Sequence, residues 1–222
     1  MIAKRLFLAA GLLSGVLFVP ASAAAEAPAE PPSPQRLKAA LLTPQDIGAG
    51  FTRVKDGDRE SLIPENTHTQ ACTTAINGIA PLYQAKAATW LENEATWESV
   101  HHFIVSGTRS EISELEQAAK AMVRHCRRVT KTSKHSRLWI RELRVGELGD
   151  GAYGIRFRDD LPNATSIRDS MVTIDIVVIR VRNTMLLLEH TGHIGQFDTR
   201  LTKSAAEIAT KRLQKLLKPK HD

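Results

Sequence analysis

The sequence predicts an α+β domain in which an antiparallel sheet is flanked by helices and braced by one disulfide. Three observations indicate this fold. Two apolar segments surround Arg182-Asn183, a second pair of β-rich segments occupies residues 87–106, and an amphipathic helix follows Thr108. The first pair is apolar on both faces, which favours strands inside a sheet that helices cover.

The segment from Met171 to His190 is the predicted centre of the sheet. Asn tolerates positive φ, so Arg182-Asn183 is expected to form a tight two-residue loop. This loop would place three pairs opposite one another: Ile179 with Leu186, Val177 with Leu188, and Asp175 with His190. The other face would carry Ile176, Val178, Met185 and Leu187.

Residues 1–23 are predicted to be a secretory signal peptide. Lys4 and Arg5 precede the apolar segment Leu6–Val19, and Ala21-Ser22-Ala23 has the small-x-small pattern of a cleavage site. The apolar segment is short for a transmembrane span, although an uncleaved anchor is the alternative. No cysteine lies near the cleavage site, so no lipoprotein anchor is expected.

The mature chain is expected to begin with a linker and continue as one domain. Residues 24–35 are rich in Pro, Ala and Glu, which is typical of an extended or disordered spacer, and residues 36–218 are long enough for one core. Cleavage removes two basic residues and no acidic one, so it lowers the formal net charge from +6 to +4.

Helices and strands alternate through the first half of the domain. A short helix is predicted at Leu37–Leu42, a helical turn after Thr43, and a weak helix over 71–83 that Gly78 and Pro81 interrupt. Residues 51–63 are expected to be strand ends and loop. Residues 87–93 and 96–106 are predicted to pair and to turn near Glu94-Ala95.

The clearest helix follows the capping box of Thr108 and Glu111. Its apolar stripe consists of Ile112, Leu115, Ala119, Met122 and Cys126. Two strands are predicted next, at 139–145 and 152–158, around the turn 146–151, and then a polar loop at 159–169. A last helix is predicted from Asp198 or Thr199 to about Leu217.

Cys72 and Cys126 are the only two cysteines. An even pair in an exported chain indicates a disulfide, and the sequence has no Cys-x-x-Cys redox motif. Two buried free thiols, or a redox pair, are the competing interpretations.

No catalytic or metal signature emerges from the sequence. His101 and His102 are adjacent on a strand, so they face opposite sides, and His190, His193 and Asp198 match no standard zinc spacing. No nucleophile elbow or phosphate-binding loop is present, and Asp150 is expected in its Gly-rich turn for conformational reasons. The sequence therefore predicts no catalytic residue, metal or cofactor.

A basic stretch free of acidic residues follows the long helix. Its cations are Arg124, Arg127, Arg128, Lys131, Lys134 and Arg137. One interpretation is a solvated helix end and loop; the other is a binding patch for an anionic envelope polymer or lipid headgroup. Nucleic acid is not expected as a partner, because the protein is predicted to be exported and no aromatic residues interleave the stretch.

Several segments together resemble the PknH-like extracellular domain family, the actinobacterial sensor domains similar to that of the serine/threonine kinase PknH. The resemblance spans about Leu37 to Leu217 and rests on these segments: the Leu-Leu-Thr-Pro-Gln-Asp-Ile-Gly-Ala-Gly-Phe start, the Ala-Cys segment, His-Cys-Arg-Arg, Leu-Gly-Asp-Gly-Ala-Tyr-Gly and Ala-Ala-Glu-Ile-Ala-Thr-Lys-Arg-Leu. It implies an antiparallel sheet flanked by helices, a Cys72–Cys126 disulfide, a ligand cleft and no catalytic residues. The second cysteine pair of many relatives is absent, and neither the lipid anchor nor the kinase to which many relatives are joined is expected here.

The expected function is that of a secreted, non-enzymatic, sensor-like ligand-binding domain at the cell envelope. A structural or protein-interaction module is the first alternative, and it should expose an apolar patch. A hydrolase is the second, and it should present a deep pocket that contains a strongly perturbed acid, base or nucleophile.

Overall fold

The computed structural model describes residues 31–55, 69–132, 137–160, 171–193 and 195–218. The predicted signal peptide and most of the predicted linker lie outside these ranges, as do Lys134 and most of the predicted loop 159–169. Within the described ranges, none of the helices combines the length and the apolar character needed to cross a membrane.

Eight antiparallel strands form one sheet in the described part of the chain. They are β1 Thr52–Val54, β2 Ala87–Asn93, β3 Glu98–Ser106, β4 Arg128–Thr132, β5 Arg137–Glu142, β6 Gly151–Asp160, β7 Met171–Val181 and β8 Thr184–His193. Their order is β1-β2-β3-β8-β7-β6-β5-β4, so the β7–β8 hairpin lies at the centre. The α+β prediction is confirmed.

The helices lie before, between and after the strands. The α-helices are α1 Pro34–Leu37, α2 Pro44–Ile47, α3 Gln70–Gly78, α4 Arg109–Cys126 and α5 Thr199–Leu216, and 3-10 helices follow α1 at Lys38–Ala40 and α3 at Ala80–Gln84. The capping box of Thr108 and Glu111 begins α4, and Asp198 caps α5. Both long helices therefore begin where the sequence predicts.

The register of the central hairpin is confirmed. Asp175 pairs with His190, Val177 with Leu188, and Ile179 with Leu186. The positive φ of the loop, however, falls on Arg182, at 55°, rather than on Asn183. Neighbouring groups hold this backbone, because the Arg182 amide donates to the Asp150 carboxylate and its guanidinium donates to the Leu217 carbonyl.

Asp150 therefore serves a turn, as the sequence predicts. The preceding Gly149 has a φ of +60°, and a Cβ there would lie 2.2 Å from the Arg180 carbonyl oxygen. Only glycine permits this close approach of the 146–151 turn to the β7–β8 hairpin.

The sheet separates two apolar layers. On one face, which we call the α4 face, α3 and α4 pack over Phe103, Ile140, Ile155, Phe157, Ile176, Val178, Met185 and Leu187. On the other, the α5 face, α5 and the N-terminal helices pack over Val100, Ile104, Val177, Ile179, Leu186 and Leu188. The alternation of side chains along each strand produces this division, and it matches the two faces predicted for the hairpin.

The disulfide joins the two helices of the α4 face. Cys72 in α3 and Cys126 at the end of α4 are bonded, with an S–S distance of 2.09 Å. The interpretation with two free thiols is therefore wrong.

Three local predictions need correction. The basic stretch after α4 contains the edge strand β4, because Val129 packs into the core while its neighbours alternate outward. The first helix begins at Pro34 rather than Leu37, since Pro suits the first helical turn and Ser33 caps it. Asp159 and Asp160 belong to β6, where pairing with Leu138 and Arg137 extends the strand.

Candidate functional site

A row of polar side chains crosses the α5 face from the sheet edge to its centre. The strand registers place its members side by side on β4, β5, β6, β7 and β8, in the order Arg128, Arg141, Arg156, Asp175 and His190. We call this set the polar row. Adjacent strands lie about 4.8 Å apart, so each side chain has the next within reach.

The inner end of the row is buried and closely paired. Arg156 donates to both oxygens of Asp175, from Nε at 2.6 Å and from a terminal nitrogen at 2.7 Å. Thr202, on α5, donates its hydroxyl proton to Asp175 Oδ2 at 2.6 Å. Such a two-point arginine contact is among the stronger ion pairs in proteins, and it offsets the cost of burying the carboxylate.

His190 connects this pair to the start of α5. Its Nδ1 lies 2.8 Å from Thr202 Oγ1, and because that hydroxyl donates to Asp175, His190 donates to it. Its Nε2 lies 3.3 Å from Glu98 Oε1, a contact without hydrogen-bond geometry. Glu98 also accepts from the Asp198 amide at 2.7 Å, which fixes the N-terminus of α5.

Hydrogen bonding determines the charge of Glu98. Burial alone would raise the pKa of this carboxyl, but the nearby His190 ring and the hydrogen bonds from the Asp198 amide and the Thr96 hydroxyl lower the pKa below its ordinary value. The inner end of the row and Glu98 therefore form a buried hydrogen-bonded network that holds α5 on the sheet, in which His190 Nε2 is the only buried polar side-chain atom that lacks a hydrogen-bond partner among the described residues.

Phe197 covers the boundary between the two ends of the row. Its ring stacks on His190 with centroids 4.2 Å apart, and the Arg156 guanidinium carbon lies 5.3 Å from its centroid. Beyond Arg156 the described helices no longer cover the sheet, because α5 packs on β7 and β8.

The outer end of the row opens onto a surface that we call the arginine–tryptophan face. It consists of the outward side chains of β4, β5 and β6 on the α5 side: Arg128, Arg137, Trp139, Arg141, Arg156 and Arg158. Arg128, Arg137 and Arg141 are exposed, and the other three side chains are half-buried.

Carboxylates balance only part of this positive charge. Asp175 binds Arg156, and Asp160 binds Arg158 at 3.0 Å. Among the described residues no carboxylate forms an ion pair with Arg128, Arg137 or Arg141. Arg128 and Arg141 face each other directly across β4 and β5, and like charges in such positions repel. An anion bound between them would relieve the repulsion.

The structure divides the predicted basic patch. Arg128 and Arg137 lie on the arginine–tryptophan face, whereas Lys131 projects to the α4 side. Arg124 and Arg127 lie at the exposed end of α4, and Lys134 is outside the described residues. The other members of the arginine–tryptophan face were not identified from the sequence. They lie on β5 and β6 and are Trp139, Arg141, Arg156 and Arg158. An alternation of arginine with apolar residues along both strands was the sequence signal that could have identified them.

A separate cleft lies on the α4 side. It has a volume of about 370 Å³ and is lined by Gly78, Pro81, Val105, Ser106, Gly107, Glu111, Ile112, Glu114 and Leu115. Hydrogen bonds from the backbone and side chain of Thr108 lower the pKa of Glu111, which serves the helix cap. This cleft offers apolar surface and no activated acid or base.

The two adjacent histidines lie on opposite faces, as strand alternation predicts. His101 Nδ1 lies 3.6 Å from Glu189, and Tyr83 donates to the same carboxylate at 2.7 Å. His102 accepts from the Leu42 amide through Nδ1. Burial, the largest cause, lowers the pKa of His102 to about 3, and Arg212 adds to the effect, so its imidazole is neutral.

Known proteins offer matches in structure rather than in sequence. Neither a protein-family profile nor a curated protein matches the chain. The extracellular domain of PknH from Mycobacterium tuberculosis is similar, with a TM-score of 0.49 and 14% identity over 83% of this chain and 98% of that chain. The Rv0999 ortholog from Mycobacterium smegmatis gives a TM-score of 0.43 and 12% identity over 81% of this chain and 93% of that one. The predicted resemblance to the PknH extracellular domain is confirmed as this structural likeness.

Proposed function

We propose that this protein is a secreted, non-enzymatic, sensor-like domain that binds an anionic ligand at the cell envelope through its arginine–tryptophan face. The observation that carries the proposal is the pair Arg128 and Arg141. These arginines are adjacent and exposed, no carboxylate of the described residues pairs with them, and the sheet holds their strands in fixed register.

The chemistry of the face favours phosphate or carboxylate groups. Guanidinium groups bind both through two parallel hydrogen bonds. Arg141 already donates to the Val129 and Ile140 carbonyls at 2.9 Å each and to Thr130 at 3.1 Å. It is therefore positioned before a ligand arrives, which reduces the entropy lost on binding.

Neither alternative function has comparable support. An interaction module should expose apolar surface, yet Trp97, at 48% exposure, is the one exposed large hydrophobic side chain among the described residues. A hydrolase should place a group with a perturbed pKa in a cleft, whereas His102 and Glu116, whose pKa values are strongly lowered, are buried and do not line the cleft on the α4 side.

The test is binding of the mature protein to anionic material. The probes are polyphosphate, polygalacturonate and phosphatidylglycerol vesicles, with phosphatidylcholine vesicles as the neutral control. We expect retention at about 0.05 M salt and a steep loss by about 0.3 M, because the screening length shortens over this range. No retention of the wild type on any anionic probe at low salt would contradict the proposal.

Two double variants test whether the ligand binds at the arginine–tryptophan face or at the basic end of α4. Arg128→Glu with Arg141→Glu reverses two charges on the face, and Arg124→Glu with Arg127→Glu reverses two at the end of α4. We expect the first to reduce affinity at least about tenfold and the second only about two- to threefold, since the first removes the guanidinium groups that bind the ligand directly and the second changes only the surrounding electrostatic field. The reverse order would place the site at the helix end instead.

Cleavage of the signal peptide tests the proposed export of the protein. The predicted signal peptide should be removed after Ala23, so the secreted protein should begin at Ala24 or within two residues of it. Intact mass of the protein from culture supernatant decides this; recovery of a full-length membrane species alone would refute the secreted location.

A further inference from the structure

We propose that the ligand of the arginine–tryptophan face is an anionic glycan, whose acid groups bind the arginines while one sugar ring packs against Trp139. This inference rests on the proposed function and specifies its ligand. The observations that carry it are the position and surroundings of Trp139.

Trp139 lies at the middle of the face. It is the central outward residue of β5, between Arg137 and Arg141, and its cross-strand neighbours are Thr130 on β4 and Arg158 on β6. Among the described residues, its indole belongs to neither apolar layer of the sheet. Packing of the core therefore does not account for a large aromatic side chain at this position.

Two guanidinium groups flank the indole. The Arg141 and Arg158 guanidinium carbons each lie 5.7 Å from the ring centroid. Attraction between a cation and the ring quadrupole holds both groups near the aromatic surface. Each can remain beside the ring and still turn its donors outward to a carboxylate or phosphate.

This combination matches the two parts of an acidic sugar. An aromatic ring offers an apolar surface to the C–H groups of a sugar ring, and the surrounding arginines offer charged donors to its acid groups. The Thr130 and Thr132 side chains add hydroxyls on the same side of β4. The face is three strands wide, about 10 Å, and about 13 Å long from residue 137 to residue 141, so an extended chain can lie along it.

A lipid surface fits these features less well. Binding at a membrane interface usually inserts an apolar side chain among the lipids. Trp139 is half-buried between two guanidiniums, and the outward neighbours on β4 and β5 are polar. The exposed Trp97 lies in the β2–β3 turn, close to the opposite edge of the sheet. Attachment to lipid through charge alone is the alternative outcome of the test.

The experiment compares Trp139→Leu with wild type on two soluble polyanions. Polygalacturonate carries both sugar rings and carboxylates, whereas polyphosphate carries charge without rings. We expect Trp139→Leu to weaken polygalacturonate binding about tenfold and polyphosphate binding less than about twofold. Trp139→Phe keeps an aromatic ring and should retain most of the affinity for polygalacturonate. Trp97→Leu is the matched control and should change neither.

The possible results separate the two proposals. Equal binding of wild type and Trp139→Leu to polygalacturonate, or an equal loss on both polymers, would overturn the glycan inference while leaving anion binding intact. Binding to phosphatidylglycerol vesicles but not to polygalacturonate would overturn it in favour of lipid. Absence of binding to every probe would remove the proposed function as well. Thermal unfolding of each variant confirms that a loss of affinity reflects the site.

Discussion

The two faces of the sheet differ in how far helices cover them. On the α4 face, disulfide-linked helices cover the strands, and the buried carboxylate of Glu116 accepts hydrogen bonds from Tyr153 and Arg180 at 2.6 Å each. On the α5 face, α5 and the N-terminal helices cover the central strands, and the outward arginines of β4 and β5 remain exposed. On the α4 face Arg180 is paired with a buried carboxylate, whereas on the α5 side the arginines of β4 and β5 are exposed to solvent.

The polar row shows the same contrast within one face. At its inner end Arg156, Asp175, Thr202 and His190 are joined by hydrogen bonds that stabilise the attachment of α5, whereas at its outer end Arg128 and Arg141 are like charges in directly opposite positions. Like charges directly opposite each other cost stability, so stabilisation of the fold does not explain why two arginines occupy these positions. The contrast predicts that changes to the covered regions alter folding and that changes to the open region alter binding.

The largest effect on stability should come from the disulfide. Replacing Cys72 and Cys126 by serine opens a link between residues separated by 54 positions. In the chain-entropy model this costs about 4 kcal/mol of unfolding free energy, because the unfolded chain gains freedom. Guanidinium unfolding measures the difference. A loss below about 1 kcal/mol would show that the α4 face does not depend on its covalent link.

Asp175→Asn should have the next largest effect. It leaves Arg156 without its buried ionic partner, which should reduce the unfolding free energy by about 3 kcal/mol. Asp160→Asn breaks the more exposed pair with Arg158 and should cost less than about 0.5 kcal/mol. Urea titrations of both variants test the contrast; similar costs would mean that the two ends of the row do not differ.

His102 should make the covered part of the α5 face sensitive to acid. Its folded pKa of about 3 lies below the ordinary 6.5, so the unfolded state binds the proton first as the pH falls. The contribution of neutral His102 to the unfolding free energy is therefore fully present above pH 6.5. It is lost progressively below that pH, and about 2 kcal/mol is lost by pH 5. His102→Asn keeps an acceptor for the Leu42 amide without this titration, so its stability should fall less between pH 7 and 5. If the unfolding free energies of wild type and His102→Asn fell equally between pH 7 and 5, His102 would not be the source of the acid sensitivity.

The smallest change in stability is expected at the open end. The double variant Arg128→Glu with Arg141→Glu replaces one repelling pair by another on exposed side chains. Its unfolding free energy should stay within about 0.5 kcal/mol of wild type, although its affinity for polyanions falls. Thermal unfolding checks this point. A large loss of stability would mean that these arginines support the fold.

Much of the fold could be predicted because its signals are local. The two-residue loop and the period-two alternation set the β7–β8 register, and the capping box with the following apolar stripe predicts α4. The candidate site could be predicted from the sequence only in part. Arg128 and Arg137 stood in the basic stretch, but Lys131 in the same stretch projects to the other side of the sheet.

The sequence by itself determined which segments pair locally, where the long helices begin and that the two cysteines should be joined. Only the tertiary structure decided that Arg128, Arg141, Arg156, Asp175 and His190 form one row. Each lies on a different strand, and their adjacency depends on strand order and register across the whole sheet. Only the packing of α5 on β7 and β8 decided which end of that row would be buried and which would face the solvent. Local propensities act over a few residues, whereas strand order and helix docking are fixed by burial of apolar surface across the whole domain.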